Sequence, residues 1–320
     1  MIPAPPKRIV SIDQFRGYAI LGMVFVNYID RFNITPWMLQ HHREGMSFND
    51  TIAPIFIFVV GMGFRLSMLR RVEKEGLGAA RRATAKRYLS LAILGFAIYQ
   101  GYLWDALSDI GLGGLLALMF MDKTPKVRIA VAALFLGLYQ AAFSLTPYGQ
   151  YVMSSSLNGG PLGPFSWGFI LLMGSVAYDF MATSDSRKVA QASCLLWGVG
   201  LSVLGWALKI EWPGVKAAWP FSQYWMTSPY PLYSTGLCFF TLLFFHYLCD
   251  VRRLRFPQLS TLGENPLVLY LAHLLLVEIV ALVLPDSASL LAILIGFLCV
   301  YGACYALAFG LHHKHIIVKI

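Results

Sequence analysis

Apolar and polar segments alternate along the whole chain, and the apolar ones are continuous rather than interrupted at every second position. A continuous apolar stretch of about 20 residues crosses a bilayer as an α-helix. A barrel strand would instead alternate apolar and polar residues. We predict about ten membrane helices, at roughly 14–30, 51–70, 87–104, 106–121, 127–146, 164–182, 188–208, 230–249, 264–284 and 288–311.

Composition supports this interpretation. The chain has 320 residues, of which 58% are hydrophobic and 13% are charged, whereas about 25% of the residues in a soluble domain are charged. The opening segment MIPAPPKRIVSIDQFRG is too polar for the core of a cleavable signal peptide, so we expect the first membrane helix to direct insertion. The fold prediction is therefore an all-α, polytopic integral membrane bundle in which residues 1–320 form one domain.

The net charge of +9 would suggest a nucleic-acid partner in a soluble protein, but its distribution here follows topology. With ten helices, nearly all Lys and Arg residues between the apolar segments or at their ends fall on one side of the membrane, which marks that side as cytoplasmic. Both termini then face the cytoplasm, and no nucleic-acid partner is predicted. The cytoplasmic set is Lys7, Arg8, Arg70, Arg71, Lys74, Arg81, Arg82, Lys86, Arg87, Lys123, Lys126, Arg128, Arg187, Lys188, Arg252, Arg253, Arg255, Lys314 and Lys319, against Arg31, Arg43, Lys209 and Lys216 outside.

The outer loop at 31–50 carries two adjacent histidines, His41 and His42, and ends at Asp50, where the second apolar segment begins. A neutral imidazole is the natural general base near pH 7. Adjacent side chains on a helix point about 100° apart, so we expect only one of the two to serve a given reaction. Asp50 can cap the following helix and accept an imidazole N–H. The alternative is a polar surface loop.

Among the polar residues inside apolar segments, two are of particular interest: Asn27 in the first segment and His273 in the ninth. Polar groups are costly in hydrocarbon, which makes both candidates for a functional site. Asn27 either bridges helices or orients an acyl carbonyl or a histidine. His273 is either a hydrogen-bonded structural residue or part of a cavity wall.

Charged residues near the helix ends have simpler interpretations. Asp13 and Arg16 stand three residues apart and are close enough to pair. Asp105 and Asp109 are typical of acids at a helix start. The basic loop predicted at 70–87, with Arg81 and Arg82, suits either anionic membrane lipids or the phosphates of a nucleotide or coenzyme A. The five cysteines form no CxxC pair, so neither a metal site nor a disulfide framework is predicted.

Five segments occur in a familiar order: SIDQFRGYAILGMVFVNY, GMSFNDTIAPIFIFVVG, GGPLGPFSWGFILLMG, YPLYSTG and LGENPLVLYLAH. In this order the chain resembles the heparan-α-glucosaminide N-acetyltransferase family and its bacterial membrane relatives. The resemblance implies transfer of an acetyl group from cytoplasmic acetyl-CoA, as co-substrate, to the amine or hydroxyl of a sugar or glycan acceptor on the outer side. It also implies a location in a bacterial inner membrane.

The resemblance assigns roles to single residues. The family's active histidine precedes G-x-[ST]-x-x-D by a few residues, which places His41 closest to the pattern and keeps His42 open, because the spacing to Gly45 is one residue short. Asn27, Asp50 and Asn265 match its asparagine, aspartate and ninth-helix asparagine. The segment GGPLG lacks an acidic-Gly pair found in relatives, which affects the acceptor more than the reaction.

These assignments predict a mechanism. His41 or His42 deprotonates the acceptor or takes the acetyl group itself, Asp50 fixes the imidazole tautomer, and Asn27 donates to the thioester oxygen. The donor is expected to dock against the basic face, with Asp13, Arg16, Asn265, His273, Arg81 and Arg82 as candidate binding residues. A homodimer partner is kept open. The rival hypothesis is a transporter of a small polar solute, with Asn27, Asp50 and His273 along its path.

Overall fold

The computed structural model describes residues 9–99, 104–184, 186–210 and 219–318. All regular secondary structure in this part of the chain is helical, which confirms the all-α prediction. Lys7, Arg8, Lys216 and Lys319, and residues 100–103 of the third predicted segment, lie outside the described residues. The helices are α1 (Val10–Ile29), α2 (Asn49–Ile98), α3 (Ala106–Leu118), α4 (Pro125–Leu145), α5 (Tyr148–Ser155), α6 (Gly163–Thr183), α7 (Arg187–Lys209), α8 (Pro229–His246), α9 (Pro257–Leu262), α10 (Pro266–Ala281) and α11 (Leu290–His313).

Several of these helices are long and apolar enough to cross a membrane, as an integral membrane protein requires. Within the described residues there are six, and α3 and α10 are shorter apolar helices. If the two arms of α2 are counted separately and α1, α3 and α10 are added, the number of membrane-spanning helices becomes the predicted ten. That number and the orientation stay predictions. The six are Asn49–Ile98, Pro125–Leu145, Gly160–Thr183, Arg187–Lys209, Pro229–Val251 and Leu290–His313.

Helix α2 is a hairpin of two helical arms. Gly76 interrupts it with a positive φ of 79° and a ψ of 163°, a conformation that glycine adopts without strain. A straight helix of this length would extend about 75 Å, yet Ile52 near its start and Tyr99 just after its end line the same cavity. The two arms therefore run in opposite directions. The predicted loop at 70–87 is wrong in its conformation, because these basic residues are helical on both sides of Gly76.

The first arm of α2 packs closely against α6. A Cβ atom at Gly61 would overlap the carbonyl oxygen of Leu171, and one at Gly174 would overlap the carbonyl oxygen of Phe58. Small residues allow this backbone approach between membrane helices, where lipid provides little hydrophobic drive for association. The contact fixes the arm whose first turn carries Asp50.

A buried ionic cluster joins α2, α4 and α6. The Arg65 guanidinium donates from Nε to Asp179 Oδ1 at 2.9 Å, and Arg128 donates to the other oxygen of the same carboxylate. Arg128 also donates to Ser175 Oγ at 2.6 Å. Arg128 is fully buried, so it is a cross-helix brace rather than the surface charge that the sequence suggested. Removing one member of such a cluster leaves a buried charge without its partner.

Candidate active site

Several hydrogen bonds fix the loop between α1 and α2. Asp30 Oδ1, just after α1, accepts the backbone N–H of His41 at 2.8 Å. The Asn49 side chain, in the first turn of α2, donates to the carbonyl oxygen of Leu39 at 2.6 Å. Gly45, with a φ of 95°, donates its N–H to the carbonyl oxygen of Phe221 at 2.7 Å. These contacts fix the position of His41 relative to the helix ends.

His41 and Asp50 form a hydrogen-bonded pair. Nδ1 of His41 lies 2.8 Å from Asp50 Oδ1, and Asp50 is fully buried. The second carboxylate oxygen of Asp50 accepts the N–H of Ser47 at 2.8 Å. The carbonyl oxygen of Asp50 accepts the Tyr230 hydroxyl at 2.7 Å. A carboxylate accepts only, so Nδ1 carries the proton and Nε2 is the ring nitrogen that remains for chemistry.

The electrostatic environment makes His41 a stronger base. Burial lowers the pKa of His41, but the hydrogen bond that its ring donates to Asp50 and the negative charges of Asp50 and Asp30 raise it by more. The net result is a pKa above the ordinary value of 6.5. A carboxylate that orients an imidazole and stabilises its protonated form is the arrangement known from catalytic triads.

His42 has different surroundings. Its ring stacks on the indole of Trp37, with ring centroids 4.3 Å apart and an interplanar angle of 16°. Its Nε2 lies 2.8 Å from the carbonyl oxygen of Trp37. The structure brings His41, not His42, to the carboxylate of Asp50.

Asn27 contacts His273 from the neighbouring helix α10. The Nδ2 of Asn27 lies 2.9 Å from Nε2 of His273, and Nδ1 of His273 lies 3.2 Å from the carbonyl oxygen of Leu269. A carbonyl oxygen can only accept, so Nδ1 carries the proton and Nε2 accepts from the Asn27 amide. The amide orientation is thereby set, and Asn27 keeps a second N–H for another acceptor.

These groups border a cavity of about 340 Å³, which is within the range of small-molecule sites. His41 and Asn27 both line it, while Met23, Phe56 and Leu274 form part of its apolar wall. Asp50 and His273 stand behind the lining residues as their hydrogen-bond partners. The cavity can therefore present a basic imidazole nitrogen and an amide N–H to the same small molecule.

Other polar groups around this cavity were not predicted as site residues. Asp105 was predicted as a helix-start acid and does cap α3, accepting the N–H of Ala106 at 2.6 Å, but it also lines the cavity. Tyr99 and Tyr270 also line it, and their hydroxyls lie 2.5 Å apart. Several of these residues could have been predicted from the sequence, because they are acids or amides directly beside an apolar segment. The added polar residues are Asn49, Tyr99, Asp105, Asn158, Gln223, Tyr224 and Tyr270.

The remaining predicted residues lie elsewhere. Asp13 and Arg16 pair at 2.9 Å near the other end of α1. Asn265 holds the C-terminal segment, accepting the N–H of Val318 and donating to the carbonyl oxygen of Ile316. Arg81 pairs with Asp122 at 2.9 Å, and Arg82 is exposed. None of these described side chains lines the cavity.

A second His–Asp pair lies at the end of α8. Nδ1 of His246 is 3.0 Å from Asp250 Oδ2, four residues further along the chain. The other ring nitrogen of His246 is buried and has no hydrogen-bond partner among the described residues. Neither residue lines the cavity of about 340 Å³. Sequence reasoning did not single out this pair.

Comparison with known proteins adds a family likeness. The family model described as "Heparan-alpha-glucosaminide N-acetyltransferase, catalytic" matches residues 8–210, which is more than half of the chain. This range contains Asn27, His41 and Asp50 and ends before α8.

Two curated relatives share parts of the sequence. The human heparan-alpha-glucosaminide N-acetyltransferase is 38% identical over 74 residues, covering 23% of this chain and 11% of that protein. An uncharacterized 39.9 kDa protein in the amylase 3' region of Bacillus acidopullulyticus is 28% identical over 144 residues, covering 42% of this chain and 41% of that protein. The chain thus spans less than half the length of either relative.

Proposed function

This chain belongs to the heparan-alpha-glucosaminide N-acetyltransferase catalytic family, and on that premise we propose that it transfers an acetyl group from acetyl-CoA to the amine or hydroxyl of a sugar acceptor. The observation that carries the proposal is the His41–Asp50 pair at the wall of a cavity that Asn27 also lines. Chemistry of this kind needs a base and a hydrogen-bond donor that face one small volume.

His41 is the proposed general base. The acceptor nitrogen or oxygen attacks the thioester carbonyl carbon, its proton passes to Nε2 of His41, and the carbon–sulfur bond breaks to release coenzyme A. The proton then passes from His41 to the leaving sulfur. Asp50 keeps the proton of the resting imidazole on Nδ1 and stabilises the cation that forms during transfer.

Asn27 is the proposed donor to the thioester oxygen. One N–H of its amide is directed by His273, and the second can meet the oxygen as that atom gains negative charge. Removing a donor of this kind typically costs about 3–4 kcal/mol of barrier. His273 acts as a positioning residue in this scheme.

The two substrates are proposed to approach from opposite sides of the membrane. We propose that acetyl-CoA approaches from the cytoplasmic side, where Lys and Arg residues gather around the Gly76 turn, and that the acceptor approaches from the side of the His41 loop. The apolar wall of Met23, Phe56 and Leu274 limits access of bulk water to the thioester. Both termini then lie in the cytoplasm, and the membrane is a bacterial inner membrane.

The direct test uses purified protein in liposomes with radiolabelled acetyl-CoA and a panel of amino sugars and neutral sugars. We expect label in the acceptor, and loss of that label in the His41→Ala variant. Absence of acetyl-CoA binding together with flux of a polar solute would favour the transporter hypothesis instead.

A further inference from the structure

An acidic side chain forms part of the wall of the cavity at His41. Asp105, at the start of α3, lines this cavity directly, whereas Asp50 stands behind His41. The described lining residues include no second Asp or Glu, and no Lys or Arg that could neutralise Asp105. Much of the remaining wall is apolar. The cavity therefore presents a carboxylate to any small molecule that carries a positive charge.

The hydrogen bonds of Asp105 fix its carboxylate and leave it capacity for a ligand. Asp105 Oδ1 accepts the N–H of Ala106 at 2.6 Å, and Nδ2 of Asn158 lies 3.5 Å from the same oxygen. The side chain also accepts the backbone N–H of Ser108 in a capping box. A carboxylate has about four lone-pair sites. These neutral donors thus leave room for a further donor, and none of them supplies a positive charge.

A second buried carboxyl group lies one helical turn further along α3. Asp109 is fully buried, and neither of its carboxyl oxygens has a hydrogen-bond partner among the described residues. Residues four apart on a helix are neighbours, so the two acids lie side by side. Burial raises the pKa of Asp105, against the lowering effect of the hydrogen bond from Ala106. A raised pKa makes Asp105 a better proton acceptor near neutral pH.

An amine acceptor needs two proton acceptors. Alkyl amines are mostly ammonium ions near neutral pH, as lysine and α-amino groups are. An ammonium nitrogen has no lone pair, so it must lose one proton before it can attack a carbonyl carbon and a second proton as the amide forms. Nε2 of His41 accepts only one proton at a time. A hydroxyl acceptor has a single proton to lose, and one base is enough for it.

We propose that Asp105 binds the ammonium form of the acceptor and takes its first proton. The neutral amine then attacks the thioester carbon, its next proton passes to Nε2 of His41, and the carbon–sulfur bond breaks. His41 gives that proton to the leaving sulfur and Asp105 releases its own to water, so each turnover yields the amide, the thiol of coenzyme A and one proton. The inference rests on the proposed function for acetyl transfer and adds to it a second catalytic residue that serves amines alone.

Two sugars that differ at one carbon test this role, glucosamine with an amine and glucose with a hydroxyl. Isothermal titration calorimetry without acetyl-CoA should give a Kd about tenfold lower for glucosamine, as for a hydrogen bond between charged groups. Asp105→Asn should remove this preference, since asparagine keeps the helix cap but carries no charge. With acetyl-CoA, the same variant should lower kcat/KM for glucosamine by about 10²- to 10³-fold and leave any transfer to glucose unchanged.

Asp286→Asn is the matched control, because Asp286 pairs with Arg31 at an exposed position outside the cavity lining. This variant should keep both the binding preference and the rate with glucosamine. Equal Kd values for the two sugars in the unmodified protein, no binding of either, or a preference or rate that survives Asp105→Asn would each overturn the inference. A preference that depends on Asp105 in a protein that transfers no acetyl group would instead overturn the proposed reaction and leave Asp105 as a binding residue.

Discussion

Two His–Asp pairs occupy different parts of the bundle, and only one of them borders the candidate active cavity. His41 reaches Asp50 across a loop, and its ring lines the cavity. His246 reaches Asp250 within one helical turn, and its second ring nitrogen is buried without a partner among the described residues. The two contacts differ little in length, at 2.8 and 3.0 Å.

The comparison teaches that a hydrogen-bonded carboxylate alone does not make a histidine a catalytic base. Asp50 is itself held by Ser47 and Tyr230, and the imidazole that it orients faces a volume where substrate can lie. The His246–Asp250 pair at the end of α8 has the local geometry but does not line that volume. The two sites differ in whether the histidine lines the cavity, more than in the His–Asp hydrogen bond itself.

Replacing the carboxylates should separate the pairs most strongly. We expect Asp50→Asn to lower kcat/KM by about 10³- to 10⁴-fold, because the amide no longer holds the required imidazole tautomer. Asp250→Asn should change kcat/KM by less than about threefold. Steady-state acetyl transfer measures both, and comparable losses would show that the His246–Asp250 pair takes part in the reaction.

Substitution of Asn27 tests whether the cavity contributes a hydrogen-bond donor as well as a base. Asn27→Ala should lower kcat by about 10²- to 10³-fold. His273→Ala should cause a smaller loss, because it only frees the amide to rotate. The double variant should be no worse than Asn27→Ala, since His273 acts through Asn27. Additive losses would give His273 a separate role.

The pH profile tests the environment of His41. The base acts as neutral imidazole, so activity should fall as pH decreases through its pKa. Because that pKa is raised, the acidic limb of kcat/KM should lie above pH 6.5. In Asp50→Asn the charge of Asp50 and its hydrogen bond as a carboxylate are lost, while burial and the charge of Asp30 remain, so the limb should move to lower pH. A limb that stays in place would assign the titration to another group.

The smallest effect is expected at the His246–Asp250 pair. His246→Gln removes one partly buried hydrogen bond and should lower the free energy of unfolding by about 1 kcal/mol. A modest drop in the thermal midpoint in detergent, with unchanged acetyl transfer, is the predicted outcome. A loss of transfer at full thermal stability would contradict the structural role.

Local patterns predict most of this molecule's elements. Apolar length predicts the helices, and the unusual polar residues Asn27, His41 and Asp50 prove to lie around one cavity. Sequence reasoning did not choose between His41 and His42. The two residues are adjacent, and only the conformation of the loop decides which side chain reaches Asp50. That path depends on contacts to Asp30 and to Phe221.

Distant pairings account for what local patterns miss. His273 meets Asn27 although 246 positions separate them, and Tyr99 meets Tyr270 across 171 positions. Arg128 looks like a surface charge in sequence, yet its carboxylate partner comes from another helix. Such contacts arise from helix packing, and a single sequence carries no direct signal for them.

The most direct test of the central claim compares His41→Ala with His42→Ala in the same acetyl-transfer assay. The adjacent histidines provide matched substitutions, and only His41 is paired with Asp50 at the cavity. The account predicts that His41→Ala loses at least about 10³-fold in kcat, while His42→Ala keeps most of its activity. Loss of activity in His42→Ala with retention in His41→Ala would contradict it.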